Sequence, residues 1–135
     1  MNKARSAVLT TLTLSVLNLC FVILSILTKT RVFPDYPPMV ITLFTVFLIT
    51  LGILSIWQLF AGLDGQVMSG KILLLLAVEY FVVYVADMTN IFPRSVMPMG
   101  QTLFIMEMLG AGLAVLLFIS AIWYSRAMSI SAPMQ

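Results

Sequence analysis

Residues 29–44 read KTRVFPDYPPMVITLF, and residues 87–104 read DMTNIFPRSVMPMGQTLF. Aligned on Phe-Pro with a single inserted residue, the two segments match at Thr30/Thr89, Val32/Ile91, Phe33/Phe92, Pro34/Pro93, Thr42/Thr102, Leu43/Leu103 and Phe44/Phe104. The register continues to Gly52/Gly112 and Ala61/Ala121. Each segment is a proline-containing loop between two apolar runs. The chain therefore reads as one helical hairpin used twice, with units at about 7–60 and 71–124.

Composition sets the solvent of this unit. Of 135 residues, 61% are hydrophobic and 9% charged, and the mean hydropathy is +1.12. A soluble domain carries about a quarter of its residues as charges, so this chain is expected to fold in lipid. Once the apolar runs are placed there is no room for a separate soluble domain, and residues 1–135 form a single transmembrane domain. The expected fold class is an all-α integral membrane protein of four transmembrane helices, arranged as two tandem hairpins.

The spans fall at Ala7–Leu27, Met39–Phe60, Lys71–Asp87 and Gln101–Tyr124. A helix needs about 20 apolar residues to cross the hydrocarbon core. The third span is the weakest, because Glu79 interrupts it, and it is expected to extend toward Ile91. Pro34, Pro37 and Pro38 separate the first two spans, and Pro93 and Pro98 the last two, since proline ends one helix and suits the first turn of the next. Gly62, Asp64, Gly65, Ser69 and Gly70 make the short middle turn. Short links force antiparallel neighbours, and four spans put both termini on one side. Lys3, Arg5, Lys71 and Arg126 on that side, against Lys29, Arg31 and Arg94 on the other, bias the termini toward the cytoplasm. Trp57, Trp123 and Tyr124 then sit where an interfacial aromatic belt belongs. The first span lacks a small-x-small cleavage site before Lys29 and reads as a permanent helix rather than a signal peptide.

Apolar burial cannot drive helices together in lipid, so small and hydrogen-bonding residues mark the packing faces. Thr11, Ser15, Asn18 and Ser25 mark one face of the first span. Thr42, Thr45, Gly52 and Ser55 mark the second, and Tyr80, Tyr84 and Asp87 the third. The fourth carries Glu107, Gly110, Ala111, Ala114 and Ala121 on one stripe. Gly52, Gly110, Ala111 and Ala114 are the candidate packing residues.

Glu79 and Glu107 are the charged residues deepest in the spans. A central acid costs about 2.5–3.5 kcal/mol on insertion scales and therefore faces protein, water or a partner. Counted from the loop ends, Glu107 lies about 9 Å deep and Glu79 about 12 Å, so similar depths are expected. If they faced each other they would share a proton, because two buried carboxylates do not readily both ionise. Glu79, Glu107, Asp87, Tyr80, Tyr84 and Asn18 are the candidate ion, proton or polar-contact site. Each glutamate has a plainer reading, as a protonated or hydrogen-bonded packing residue, and a third, as the partner of a basic residue on another chain.

The chain has no histidine and a single cysteine, Cys20, which excludes an internal disulfide and any Cys-x-x-Cys redox site. Phosphate loops, nucleophile systems and metal-ligand spacings are absent from the sequence. Met97 and Met99 flank Pro98, but two thioethers make no metal site. No catalytic residue, cofactor or metal is expected, and a net charge of +2 gives no reason to expect nucleic acid. The expected role is a non-catalytic accessory or structural subunit of a larger membrane complex, in contact with the lipid bilayer and other membrane subunits. The alternative is a small homo-oligomeric transporter or channel using the intramembrane glutamates.

Overall fold

The computed structural model describes residues 3–28, 33–96 and 98–131. These described residues form four α-helices: α1 (Lys3–Leu27), α2 (Pro38–Leu63), α3 (Gly70–Met88) and α4 (Gln101–Ser131). Three of them, α1, α2 and α4, are long and apolar enough to cross a membrane. Helix α3 differs because Lys71, Glu79 and Asp87 all fall within its 19 residues.

Neighbouring helices run antiparallel. Arg5 at the start of α1 binds Gly62 at the end of α2, and Thr11 in the first half of α1 meets Ser120 in the second half of α4 at 3.3 Å. The bundle closes α1 on α2, α1 on α4 and α3 on α4, while α2 and α3 touch only sparingly. One side of the bundle is therefore open. Its consequence is visible in α2, where only Leu48, Leu51, Ser55, Gln58 and Gly62 are buried.

The helix ends differ from the expected spans in several places, among them the end of α2, which runs past Phe60 to Leu63. Helix α1 begins at Lys3 rather than Ala7, because Ala4 and Val8 are fully buried and carry the packing stripe back a turn. Helix α3 stops at Met88 and does not extend toward Ile91. There Asn90 adopts the left-handed region (φ 54°), which asparagine tolerates better than most residues. Helix α4 runs past Tyr124 to Ser131, since Ala127 and Met128 still pack on the core.

The two proline loops lie at the same end of the bundle. Phe92 packs edge-on against both Tyr36 and Phe44, with ring centroids 5.3 Å apart in each pair. The Arg94 amide donates to the Tyr36 hydroxyl at 3.3 Å. Thr30 and Val32 of the sequence match, the loop cations Lys29 and Arg31, and Met97 lie outside the described residues. The matched positions that are described have unlike surroundings. A Cβ on Gly52 would touch Leu19 Cδ2 at 3.4 Å, whereas Gly112 faces open space. Phe44 packs on Phe92, but Phe104 is exposed.

The opposite end is held by polar contacts that composition does not announce. The Arg5 guanidinium donates to the carbonyls of Gly62, Gly65 and Gln66. It thus occupies acceptors at the C-terminal end of α2, where the helix dipole also favours a cation. Gln58 Oε1 accepts from the Ser69 amide at 3.0 Å, and the Tyr124 hydroxyl accepts from the Met68 amide at 3.1 Å. Tyr124 is buried, so it belongs to the core and not to an aromatic belt, whereas Trp57 and Trp123 are exposed.

The outer surface inverts the pattern of a soluble bundle. Leu17, Leu24, Leu43, Ile53, Trp57, Val82, Leu116 and Ile119 are all exposed. Thr42, expected on a packing face, is also exposed. Its hydroxyl donates to the Pro38 carbonyl at 2.9 Å. Thr13 and Thr50 bond their own i−4 carbonyls in the same way, which satisfies each hydroxyl within its own helix.

Candidate functional site

The fourth helix presents Glu107, Gly110, Ala111, Ala114, Leu117, Ser120, Ala121 and Tyr124 inward, all buried. The spacing of three and four residues is that of one helical face. Gly110 is where three helices meet. A Cβ there would stand 2.5 Å from Asn18 Nδ2 of α1 and 2.6 Å from Cε2 and Cζ of Tyr84 of α3. Only glycine leaves room for an amide and a phenol ring against the α4 backbone.

Tyr84 lies within electrostatic reach of Asn18, Tyr80 and Glu107. It stacks on Tyr80 with centroids 6.1 Å apart and planes 10° from parallel. The Tyr80 hydroxyl shares a 2.8 Å hydrogen bond with Ser55 of α2, and Ser55 donates to its own helix at the Leu51 carbonyl. Buried polar groups therefore run from α2 through α3 to α1 and α4. Two atoms in this cluster, Asn18 Nδ2 and the Tyr84 hydroxyl, are buried without a direct hydrogen bond among the described residues.

The axial register of α3 and α4 follows from two close approaches. A Cβ on Gly70 would strike Ser125 Oγ, and one on Gly110 would strike Tyr84. A shallow groove lined by Ala77, Val78, Phe81, Ala114, Val115 and Phe118 fits the same register. Extended along the antiparallel pair, this register sets Asp87 about level with Glu107. Both carboxyl groups are buried, Glu107 completely. Asp87 also lines a cavity of about 360 Å³ at the loop end, with Asn90, Ser95 and Met99. The Asn90 side chain shapes this end by accepting from the Ser95 amide at 3.0 Å.

Glu79 is elsewhere. The same register puts it near Val115, about two turns along the axis from Glu107. It is half-buried and lines the groove on the open side between α2 and α3, beside Phe44, Phe47, Val82 and Phe92. The expectation of similar depths fails because α4 begins roughly a turn and a half beyond the level at which α3 stops. The structure thus brings Glu107, Asp87, Tyr84, Tyr80 and Asn18 into one interior region and leaves Glu79 outside it. Among the described residues no group of three or more His, Cys, Asp or Glu side chains could hold a metal ion. Gln58 and Arg5, which carry the opposite end, were not candidates from the sequence. The signal for Gln58 was a polar residue near the end of an apolar run, whereas Arg5 stands before the first run and reads as a flank charge.

The described residues form an all-helical protein of four helices, three of them long and apolar enough to cross a membrane, with polar side chains set into an apolar core. The chain belongs to a family described as a domain of unknown function (DUF8051), whose model matches residues 4–134. No curated protein and no solved structure matches the chain.

Proposed function

We propose that this protein is a non-catalytic, multi-pass membrane subunit that acts as a structural or accessory component of a larger membrane complex. In this reading all four helices cross the bilayer, as two tandem hairpins related by an axis near the membrane normal. Both termini lie on the cytoplasmic side. The observation that carries the reading is the open side between α2 and α3. A complete, self-sufficient four-helix bundle buries a face of every helix against two neighbours, whereas α2 buries only five residues here. Membrane helices associate through small residues and hydrogen bonds rather than apolar area, and α2 spends its own on α1 and Tyr80. Gentle extraction followed by native mass analysis tests this role. A stable heteromer is expected; a lone 15.0 kDa species would refute it.

A second reading has its own support. Asp87 and Glu107 lie about level beside Asn18 and Tyr84, and Asp87 reaches a cavity at the loop end. Intramembrane acids in such a setting mark proton or cation paths. In a homo-oligomeric transporter, Glu107 and Asp87 would bind the cation and Tyr84 and Asn18 would complete its surroundings. Glu79 lies on a different face and would act separately. Proteoliposomes holding purified protein decide between the readings. Transport requires a proton- or cation-dependent flux that Glu107→Gln abolishes with assembly intact. Absence of flux in the wild-type protein favours the accessory role.

A further inference from the structure

Glu79 occupies a position that its own chain does not explain. It is the tenth of the 19 residues of α3, about 13 Å from either end of the helix. It is half-buried in the groove between α2 and α3, whose volume is about 390 Å³ and whose other walls include Phe44, Phe47, Val78, Val82 and Phe92. Its side chain makes no hydrogen bond or ion pair among the described residues. A carboxyl group held at mid-depth on an apolar outer face is costly unless something complements it.

We infer that the groove between α2 and α3 is a docking site for a transmembrane helix of a different chain, one carrying a lysine or arginine near its middle that pairs with Glu79. The inference rests on the accessory-subunit reading and names the chemistry of its partner. Charge complementarity fixes that chemistry. A helix with a central cation is itself poorly tolerated in lipid, and pairing with Glu79 relieves both partners at once. The basic residues of this chain indicate that the partner is a different protein. Among the described residues, Lys3, Arg5, Lys71, Arg94 and Arg126 all stand at or beyond helix ends or close to them, so in the same membrane orientation none of these residues of a second copy reaches the depth of Glu79. The aromatic and β-branched walls of the groove accept the apolar side chains that flank such a cation, and the sparse contact between α2 and α3 leaves the way to them open.

The test places a photo-crosslinking amino acid at Val82 in the groove and, as a control, at Leu116, an exposed α4 residue that does not line the groove. The full-length protein is irradiated in its native membrane, gently extracted and sequenced at the crosslink. From Val82 the expected product is a peptide of another protein that is apolar over a membrane-spanning length and holds a lysine or arginine near its centre. Glu79→Gln and Glu79→Leu are expected to lower recovery of this product and of the heteromer about tenfold or more, with the thermal unfolding of the subunit unchanged. A heteromer that survives both substitutions and crosslinks only from Leu116 would overturn the docking site while leaving the subunit role standing. A Val82 crosslink to lipid, to a second copy or to a helix without a basic residue would also overturn it. A wild-type protein extracted alone would overturn the subunit role and the docking site with it.

Discussion

Gly110→Ala probes the junction of α1, α3 and α4 directly. The added Cβ would meet Asn18 Nδ2 at 2.5 Å and Tyr84 Cε2 and Cζ at 2.6 Å. Ordinary contact begins at 3.4 Å, so both neighbours must retreat by roughly 0.8–0.9 Å. Tyr84 does not retreat freely. Tyr84 is fully buried and stacked on Tyr80, which Ser55 holds in turn. Overpacking of this kind costs about 1–3 kcal/mol. Against it stands the gain of replacing a helical glycine by alanine, about 1 kcal/mol. Gly112→Ala on the same helix isolates the two terms, because a Cβ there meets nothing within 4 Å. It should be stabilising by the propensity term alone. The difference between the variants is therefore the steric cost, about 1–3 kcal/mol, with Gly110→Ala the less stable. Reversible unfolding in mixed micelles, followed by helical circular dichroism and tyrosine fluorescence, measures both. A Gly110→Ala protein as stable as Gly112→Ala would refute the three-helix contact.

Three further outcomes follow from other contacts. Ser55→Ala strips the Tyr80 hydroxyl of its partner, and a double-mutant cycle with Tyr80→Phe in the same unfolding assay should return a coupling of about 0.5–1 kcal/mol; zero coupling would remove the bond. Arg5→Met releases the carbonyls of Gly62, Gly65 and Gln66. It should destabilise the fold by about 1–2 kcal/mol and speed hydrogen exchange at residues 63–69 more than at 33–37, whereas uniform exchange would discount its clamp on the turn. Cys20 is exposed on the protein surface, and the proposed membrane placement of α1 predicts that it resists a water-soluble maleimide in sealed or opened vesicles. Rapid labelling in opened vesicles would show that this face meets water.

Much of the helical layout was legible in the sequence because breakers and charges punctuate the apolar runs. Pro37 and Pro38 open α2, and Ser69 caps α3. The inward stripe of α4 was readable from Glu107, Gly110, Ala111 and Ala114, since small and polar residues are conspicuous among leucines and phenylalanines. The faces of α2 were harder to read. In a soluble bundle polar residues mark the outside, but here Ile53 and Trp57 outside and Leu48 and Leu51 inside are equally apolar. Threonine misled for a related reason. Thr42 bonds its own helix and so gives no information about its neighbours. Axial register between helices leaves no mark in composition, and that is why Glu79 and Glu107 were expected at one depth. Arg5 was read as a flank charge for the same reason, because its partners are backbone carbonyls 57 or more residues away.

The pivot of the whole arrangement is whether α3 crosses the membrane, since its 19 residues carry Lys71, Glu79 and Asp87. Single cysteines at Asp35, Asp64, Arg94 and Ser129, in a Cys20→Ser background and oriented vesicles, answer this by labelling from each side in turn. Asp35 and Arg94 should label from one side and Asp64 and Ser129 from the other, which puts Glu79 at mid-depth. Labelling of Asp64 and Arg94 from the same side would mean that α3 does not cross, and the four-span bundle with its buried acids and open groove would be wrong.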